Sequence, residues 1–250
     1  MLKVNNLAVH FPTRRGTVKA VNDVSFGLEE GEILGLVGES GCGKSMTLLA
    51  LMGLVPYPGQ TVAGQVCFQE QNLLKLDPKE LRRIRGRRIA MIFQDPLTTL
   101  NPVFKVGEQI AEALRVHNMI EPGRKGLFSR SSSRPLREEV IKLMAAVGIP
   151  APEQRLEEYP HQFSGGECQK NALGRAMMQE PAFVAMDEPT SVVDATKKAS
   201  FFMSNLSSNS ISFRLIFLIA PDPFVSCLHS KISHLCKQNH KIAKIATKYC

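Results

Sequence analysis

The sequence predicts an α/β fold in which a small N-terminal antiparallel β part precedes the core and a helical subdomain is inserted into the core. Three observations predict it. Residues 1–35 alternate short strand-like runs with turns. A glycine-rich turn then joins an apolar strand-like run directly to a helical segment. Residues 103–150 change to the three- and four-residue apolar spacing that is typical of amphipathic helices.

The antiparallel part is predicted from strand-like runs at residues 7–11, 18–21 and 24–28, with a hairpin-like return at 64–68. Turns separate these runs. Because the first three runs are short and close together, we expect a small sheet that leads into the first strand of the core.

The core is predicted to begin with a strand at residues 33–37, which runs directly into the sequence GESGCGKS. This sequence fits the pattern G-x-x-x-x-G-K-[ST] of a phosphate-binding loop, and a helix is predicted to follow at 46–52. An accidental glycine-rich turn is the alternative interpretation. The strand and the helix on either side argue against it, because the motif requires both.

The residue types of this loop suit phosphate chemistry. Glycines let backbone N–H groups turn toward the β- and γ-phosphates, the lysine supplies a positive charge, and the serine hydroxyl ligates Mg²⁺. The start of the following helix adds the positive end of its dipole. The residues predicted to bind the nucleotide are Gly38, Glu39, Ser40, Gly41, Cys42, Gly43, Lys44 and Ser45, and Ser45 is also a predicted metal ligand.

A second site is predicted where the apolar run at residues 183–186 ends in Asp187 and Glu188. A buried strand there would deliver Asp187 to the Mg²⁺ shell and Glu188 to the attacking water. A carboxylate that orients and deprotonates water contributes about 10²–10⁴ in rate. Such a strand alone is a weak signal, but together with the phosphate loop it predicts a nucleotide-hydrolysing site.

The remaining elements complete the α/β pattern. Strands are predicted at residues 88–93 and 215–219, and a charged helix is predicted at 78–85. The helical region is interrupted at 121–135 by a segment rich in glycine, serine and proline, which predicts a loop.

The order of these motifs resembles the ATP-binding subunits of ABC transporters, whose P-loop NTPase core is RecA-like. Gln94, at the end of a predicted strand, resembles the Q-loop glutamine, which in this family contacts Mg²⁺ and water. The sequence FSGGECQ at 163–169 resembles the signature motif, although Glu167 stands where the commonest version has glutamine. The resemblance implies that the γ-phosphate held by an opposite subunit is bound by Ser164, Gly165 and Gly166, that Asp194 lies in the D-loop, and that Phe11 stacks on adenine.

Three stretches narrow the resemblance to the ATPases of peptide and nickel importers. Residues 93–102 and 106–109 are similar to their Q-loop region, and residues 159–163 to the segment before their signature. The resemblance implies ATP and Mg²⁺ as cofactors and a place at the cytoplasmic face of the membrane. It also implies permease subunits and a second ABC ATPase as partners, with a substrate-binding protein as an indirect one. The cargo, whether a dipeptide, an oligopeptide, an antimicrobial peptide or nickel, is left open.

The resemblance covers residues 1 to about 198 and then fails at an important point. The family places a switch histidine after the next buried strand, but here that strand is followed by Pro221. Proline can neither donate a hydrogen bond to the γ-phosphate nor relay a proton. The later histidines and cysteines have spacings that fit no zinc site. A frameshifted, truncated or decayed C-terminus explains this tail more simply than a role of its histidines as substitutes for the switch histidine or as metal ligands together with its cysteines. The histidines and cysteines in question are Cys227, His229, His234, Cys236 and His240.

Composition restricts the other functional classes. The formal net charge of +8 is partly due to residues 199–250, which carry six basic residues and one acid. No aromatic residues are interleaved with these charges as in single-strand binders, so a solvated tail and no nucleic-acid partner are predicted. The late apolar run is too short to cross a bilayer, and no secretory pattern is present at the N-terminus. The scattered cysteines favour a reducing compartment.

Four segments are predicted. Residues 1–94 form the N-terminal part of the ATP-binding core, 95–163 the helical subdomain, 164–222 the signature helix and the second half of the core, and 223–250 an atypical basic tail. The predicted function is ATP hydrolysis that powers a peptide or nickel importer. The alternative is a remnant that binds ATP without efficient turnover. A soluble ABC ATPase of DNA repair or translation is disfavoured, because the sequence has neither a coiled-coil insertion nor tandem ATPase halves.

Overall fold

A computed structural model of the chain describes most of the first 187 residues and two later strands. In this described part of the chain, nine strands form two sheets, one antiparallel with four strands and one parallel with five. The described residues are 1–30, 32–94, 99–116, 134–179, 181–187, 215–220 and 245–247.

The antiparallel sheet has the strand order β2-β1-β4-β5, with β1 at Leu2–Thr13, β2 at Gly16–Leu28, β4 at Gln60–Phe68 and β5 at Gln71–Asn72. It confirms the predicted antiparallel part. The expected separation of the runs within β2 is wrong, because the chain continues through Asp23 in a left-handed conformation, with φ of 53°. The pairing of β1 with β2 shifts register at this point, so the residues expected to form a turn form a bulge instead.

The second sheet is the core and has the order β6-β7-β8-β3-β9. All of its strand pairs are parallel, so the carboxyl ends of the strands lie at one edge. The strand predicted at 215–219 is confirmed as β8, and it pairs with β7, the strand before Asp187. The strands are β3 (Glu32–Val37), β6 (Ile89–Ile92), β7 (Phe183–Met186), β8 (Leu215–Ala220) and β9 (Ile245–Thr247).

Strand β9 was not expected. It lies inside the segment predicted to be a basic tail, yet it pairs in parallel with β3 over Gly35 to Val37. The rest of that tail, including Cys227, His229 and His234, lies outside the described residues.

Six α-helices accompany the sheets among the residues that the structure describes. The N-terminus of α2 is fixed by Asp77, whose side chain accepts hydrogen bonds from the backbone N–H groups of Lys79 and Glu80. The helix predicted at 78–85 is thereby confirmed to within one residue. The segment predicted to be a loop at 121–135 lies outside the described residues up to 133, and its last two residues are helical. The helices are α1 (Lys44–Leu51), α2 (Pro78–Ile84), α3 (Val106–Val116), α4 (Arg134–Ala146), α5 (Pro152–Arg155) and α6 (Gly165–Met177).

Buried apolar residues form two clusters. The first joins the antiparallel sheet, α1 and the core strands, through residues such as Leu48, Phe68 and Phe183. The second joins α3, α4 and the start of α6, through residues such as Ile110 and Met144. A separate helical cluster agrees with an inserted helical subdomain, while its boundaries at 95 and 163 stay a prediction. None of the described helices is long and apolar enough to cross a membrane.

We expect the replacement Asn171→Leu to stabilise the chain. Asn171 lies on α6 and is 1% exposed, and neither polar atom of its amide has a hydrogen-bond partner among the described residues. An unsatisfied buried amide costs about 1–3 kcal/mol, and leucine has the same branching at Cγ without the polar atoms. Because 1 kcal/mol corresponds to about 2–4 °C in a chain of this size, thermal unfolding should show a rise of a few degrees. Asn171→Asp should lower the melting temperature, and an equal effect of both variants would contradict this account.

Candidate nucleotide site

The phosphate loop connects β3 to α1, and its backbone requires glycine. Gly41 and Gly43 have φ angles of 84° and 91°, which residues with a Cβ rarely adopt. A Cβ on Gly43 would also lie 2.2 Å from the backbone oxygen of Ala20 on β2. The loop is therefore packed directly against the antiparallel sheet, and α1 begins at Lys44 immediately after this contact.

The Lys44 ammonium group is folded into the loop. Its Nζ donates hydrogen bonds to the backbone oxygens of Gly38 and Glu39, both at 2.6 Å, and lies 3.7 Å from Sγ of Cys42. The residue is 7% exposed. A positive charge is thus held inside the curve of the loop, where an arriving phosphate oxygen could replace the carbonyl oxygens as its partner.

Ser45 and Asp187 lie side by side although they are far apart in the sequence. The Ser45 hydroxyl donates a hydrogen bond of 3.0 Å to Oδ1 of Asp187. The backbone N–H of Asp187 donates to the oxygen of Ile92 at 2.9 Å, which fixes this residue directly after β7. Hydroxyl and carboxylate oxygens are the ligands that Mg²⁺ prefers, so this pair fits a magnesium ion.

Gln94 follows β6 by two residues. Because β6 pairs in parallel with β7, with Ile92 opposite Met186, Gln94 comes at the same sheet edge as Asp187. The other predicted residues of this edge, Glu188 and Asp194, lie outside the described residues, as does Pro221.

Phe11 lies near the end of β1 and is half-buried. It is paired with Val18 on β2, the strand whose Ala20 touches the phosphate loop. A Cβ on Gly59 would lie 2.4 Å from the Phe11 ring, so the absence of a side chain at Gly59 leaves room for the ring. Its predicted adenine contact stays a prediction.

The signature residues are organised by a helix cap. Ser164 is the N-cap of α6, and its Oγ accepts a hydrogen bond of 3.3 Å from the backbone N–H of Glu167. The Glu167 carboxylate in turn accepts a hydrogen bond of 2.9 Å from the Ser164 backbone N–H. This capping box leaves Gly165 and Gly166 as the first residues of the helix, where unpaired backbone N–H groups favour an anion.

The structure therefore brings together part of the predicted set. Lys44, Ser45 and Asp187 share one sheet edge, and Gln94 follows a strand that ends there. Sequence reasoning missed Arg155, whose guanidinium is paired with the Glu167 carboxylate. No local pattern could have shown this pair, because the two residues come from different helices.

The chain matches one known protein family over most of its length. Residues 21–191 match the sequence profile of the ABC transporter family. The chain belongs to this family. The matched range contains the phosphate loop, the signature residues and the strand that ends at Asp187.

Relatives with curated names include ATP-binding proteins of dipeptide and oligopeptide transport. The dipeptide transport ATP-binding protein DppD of Bacillus subtilis (strain 168) is 46% identical over 200 residues, which are 80% of this chain and 56% of that protein. DppD of Escherichia coli (strain K12) is 43% identical over 80% of this chain and 58% of its own length. The oligopeptide transport ATP-binding protein OppD of Bacillus subtilis (strain 168) is 42% identical, with 80% and 53% covered. The chain therefore spans little more than half the length of these relatives.

Solved structures confirm the predicted fold class of a P-loop NTPase cassette. The dimeric post-hydrolysis state of the ATP-binding cassette MJ0796, bound to ADP and Pi, superposes with a TM-score of 0.72 at 24% identity and covers 88% of each chain. A second dimeric structure of the MJ0796 cassette gives a TM-score of 0.70 at 23% identity, with 87% and 88% covered.

Proposed function

We propose that this chain binds Mg-ATP and hydrolyses it as the ATP-binding subunit of a membrane importer of peptides. The observation that carries the proposal is the convergence of a buried lysine ammonium, a serine hydroxyl and a carboxylate at one edge of the parallel sheet. The relatives named as dipeptide and oligopeptide transport proteins favour peptides over nickel as the cargo.

The roles of the residues follow from their positions. Lys44 exchanges its bonds to Gly38 and Glu39 for phosphate oxygens, while the N–H groups of the loop and the start of α1 add further donors. Ser45 and Asp187 would hold Mg²⁺, which would supply positive charge to neutralise the phosphates of the nucleotide.

The attack of water is assigned to two further side chains. Glu188 directly follows the metal-binding Asp187 and orients and deprotonates the attacking water. Gln94 contacts the metal and the water from the end of β6, and Phe11 stacks on the adenine. These assignments rest on the resemblance of the motifs and on the parallel strands that end at this edge.

The partners follow from the signature. Ser164, Gly165 and Gly166 present the anion-binding start of α6, and Phe163 and Cys168 beside them pack in the helical cluster rather than against the phosphate loop. We assign Ser164, Gly165 and Gly166, together with Asp194, to the nucleotide bound by a second ABC ATPase. The pair would act on permease subunits from the cytoplasmic face of the membrane, and a substrate-binding protein would deliver the cargo.

A second candidate is a subunit that binds ATP without efficient turnover. Strand β8 lies between β3 and β7 and ends at Ala220, opposite Val37. The next residue in the chain is Pro221, which cannot serve as the switch histidine of the family. This position favours the second candidate, because it is where a hydrogen-bonding side chain would meet the γ-phosphate.

Reconstitution tests both candidates. The chain is assembled with its permease, its partner ATPase and its binding protein in liposomes, and ATP hydrolysis is measured with peptide, with Ni²⁺ and without cargo. The main proposal expects hydrolysis that peptide stimulates and Ni²⁺ does not. Tight ATP binding without stimulated turnover supports the second candidate, whereas the lack of ATP binding by the purified chain contradicts both.

A further inference from the structure

The first turn of α6 carries the Glu167 carboxylate, and both of its oxygens accept hydrogen bonds. Oε2 of Glu167 accepts hydrogen bonds from the Ser164 backbone N–H and from the Ser164 hydroxyl, each at 2.9 Å. Oε1 accepts a hydrogen bond from Nη2 of Arg155. The carboxylate is therefore held on one side by the helix cap and on the other by a guanidinium.

This carboxylate is negative at neutral pH. Burial alone would raise the pKa of Glu167, but hydrogen bonds from Ser164 and from Arg155 outweigh burial, and the pKa lies below its ordinary value. A negative charge thus stands at the helix start that the proposed function assigns to a γ-phosphate. Like charges repel, so the orientation of this carboxylate matters for anion binding at the helix start.

Arg155 is itself fixed in place. Its Nη1 donates to Oε2 of Glu158 at 2.7 Å, and its guanidinium lies 4.6 Å from the centre of the Phe163 ring. The side chain is 21% exposed and that of Glu167 is 19% exposed. A planar guanidinium with two carboxylate partners and an aromatic neighbour has little freedom, so it can hold Glu167 in one orientation.

The orientation has a consequence for Ser164. When the serine hydroxyl turns to donate to a phosphate oxygen, Oε2 of Glu167 loses that bond but keeps the Ser164 backbone N–H, and Oε1 keeps Arg155. Without Arg155, the released carboxylate would be free to turn toward the phosphate and would compete with it for the hydroxyl.

We propose that Arg155 is a positioning residue for the nucleotide site that this chain completes on its partner ATPase: it restrains the Glu167 carboxylate so that Ser164, Gly165 and Gly166 can bind the γ-phosphate. This rests on the proposed function. The charge of Arg155 is needed because residue 167 is a glutamate, so the need for Arg155 should disappear when residue 167 is neutral.

The test is a double-mutant cycle in the full chain with its partner ATPase. Arg155→Gln, Glu167→Gln and the double variant are compared for ATP-dependent association with the partner subunit, measured by analytical ultracentrifugation. Glu188→Gln is present throughout to block hydrolysis. We expect Arg155→Gln to weaken association by about tenfold, Glu167→Gln to leave it within about threefold, and the double variant to return to the level of Glu167→Gln.

Three further measurements separate positioning from simple stability. ATP affinity of the isolated chain should stay unchanged in all variants, because its own phosphate loop is intact. Lys105→Gln is the matched control, since it removes an ion pair of 2.8 Å with Glu157 elsewhere in the helical cluster, and it should leave association unchanged. Arg155→Lys keeps the charge and serves if glutamine prevents folding; it should lose less association than Arg155→Gln.

The outcomes are distinct. Equal association of wild type and Arg155→Gln, or a double variant as weak as Arg155→Gln, overturns the inference and leaves the proposed function standing. A wild-type chain that binds no ATP, or never associates with the partner in its presence, overturns both.

Discussion

Replacing Lys44 by alanine is expected to abolish ATP binding at concentrations where the unaltered chain is saturated. The Lys44 ammonium group is buried inside the loop and already forms two short hydrogen bonds to backbone oxygens, so it is preorganised for phosphate. Hydrogen bonds to charged groups contribute about 1.5–3 kcal/mol each, so the loss of two corresponds to about 100-fold or more in affinity. Titration calorimetry with Mg-ATP on the purified chain measures the effect.

The matched control is Lys142→Ala, which removes a lysine that is 73% exposed and forms an ion pair of 3.4 Å with Glu139 on the surface of α4. It should bind ATP like the unaltered chain. Glu188→Gln should also keep its affinity and slow only hydrolysis, because that residue is proposed to act on water and not on phosphate. If Lys44→Ala binds ATP with unchanged affinity, the assignment of the phosphate loop is wrong.

Under the second candidate, in which the chain turns over ATP slowly, Pro221→His is expected to accelerate hydrolysis. Strand β8 pairs with β3 and β7 and ends at Ala220, opposite Val37, at the sheet edge where Asp187 follows β7, and Pro221 is the next residue in the sequence. A missing group for positioning or proton transfer costs about 10²–10⁴ in rate, and a restored imidazole should recover part of this. We therefore expect the assembled transporter to bind ATP normally, to hydrolyse it slowly, and to gain at least about tenfold with the histidine.

Pro223→His is the control, because it places the same side chain two residues further along the chain and should not restore turnover. Hydrolysis is measured in the assembled complex with the catalytic glutamate of the partner ATPase replaced, so that turnover comes from one site. Rapid hydrolysis by the unaltered chain under this condition would contradict the importance of Pro221. An identical gain in ATP turnover from Pro221→His and Pro223→His would contradict the assignment of residue 221 to the switch position.

The parts that sequence predicted well are those with a local physical cause. The phosphate loop was recognisable because left-handed glycines, a lysine and a serine at fixed spacing have few other uses. Ser45 and Asp187 were expected near each other because both were predicted to ligate Mg²⁺, and the structure places them within hydrogen-bond distance. A helix start at Ser164 was expected from the signature motif, and the structure shows that a capping box of Ser164 with Glu167 fixes it.

The parts that were missed depend on contacts between distant segments. Asp23 looked like a turn residue, and its positive φ is instead absorbed as a bulge because β1 and β2 continue to pair on both sides of it. The ion pair of Arg155 with Glu167 joins two helices through the tertiary fold. Strand β9 is too short to have a recognisable pattern, and its pairing with β3 alone defines it.

The internal hydrogen bonds of the phosphate loop bear on how stable the fold is when ATP is scarce. The Lys44 ammonium group donates to the backbone oxygens of Gly38 and Glu39, and the half-buried Ser45 hydroxyl donates to Asp187, so the buried Lys44 and Asp187 both have polar partners within the protein. A buried ammonium group without partners would destabilise the empty protein and make folding depend on ligand. We therefore expect the cassette to stay folded when ATP is depleted, so that it could bind nucleotide again without first refolding.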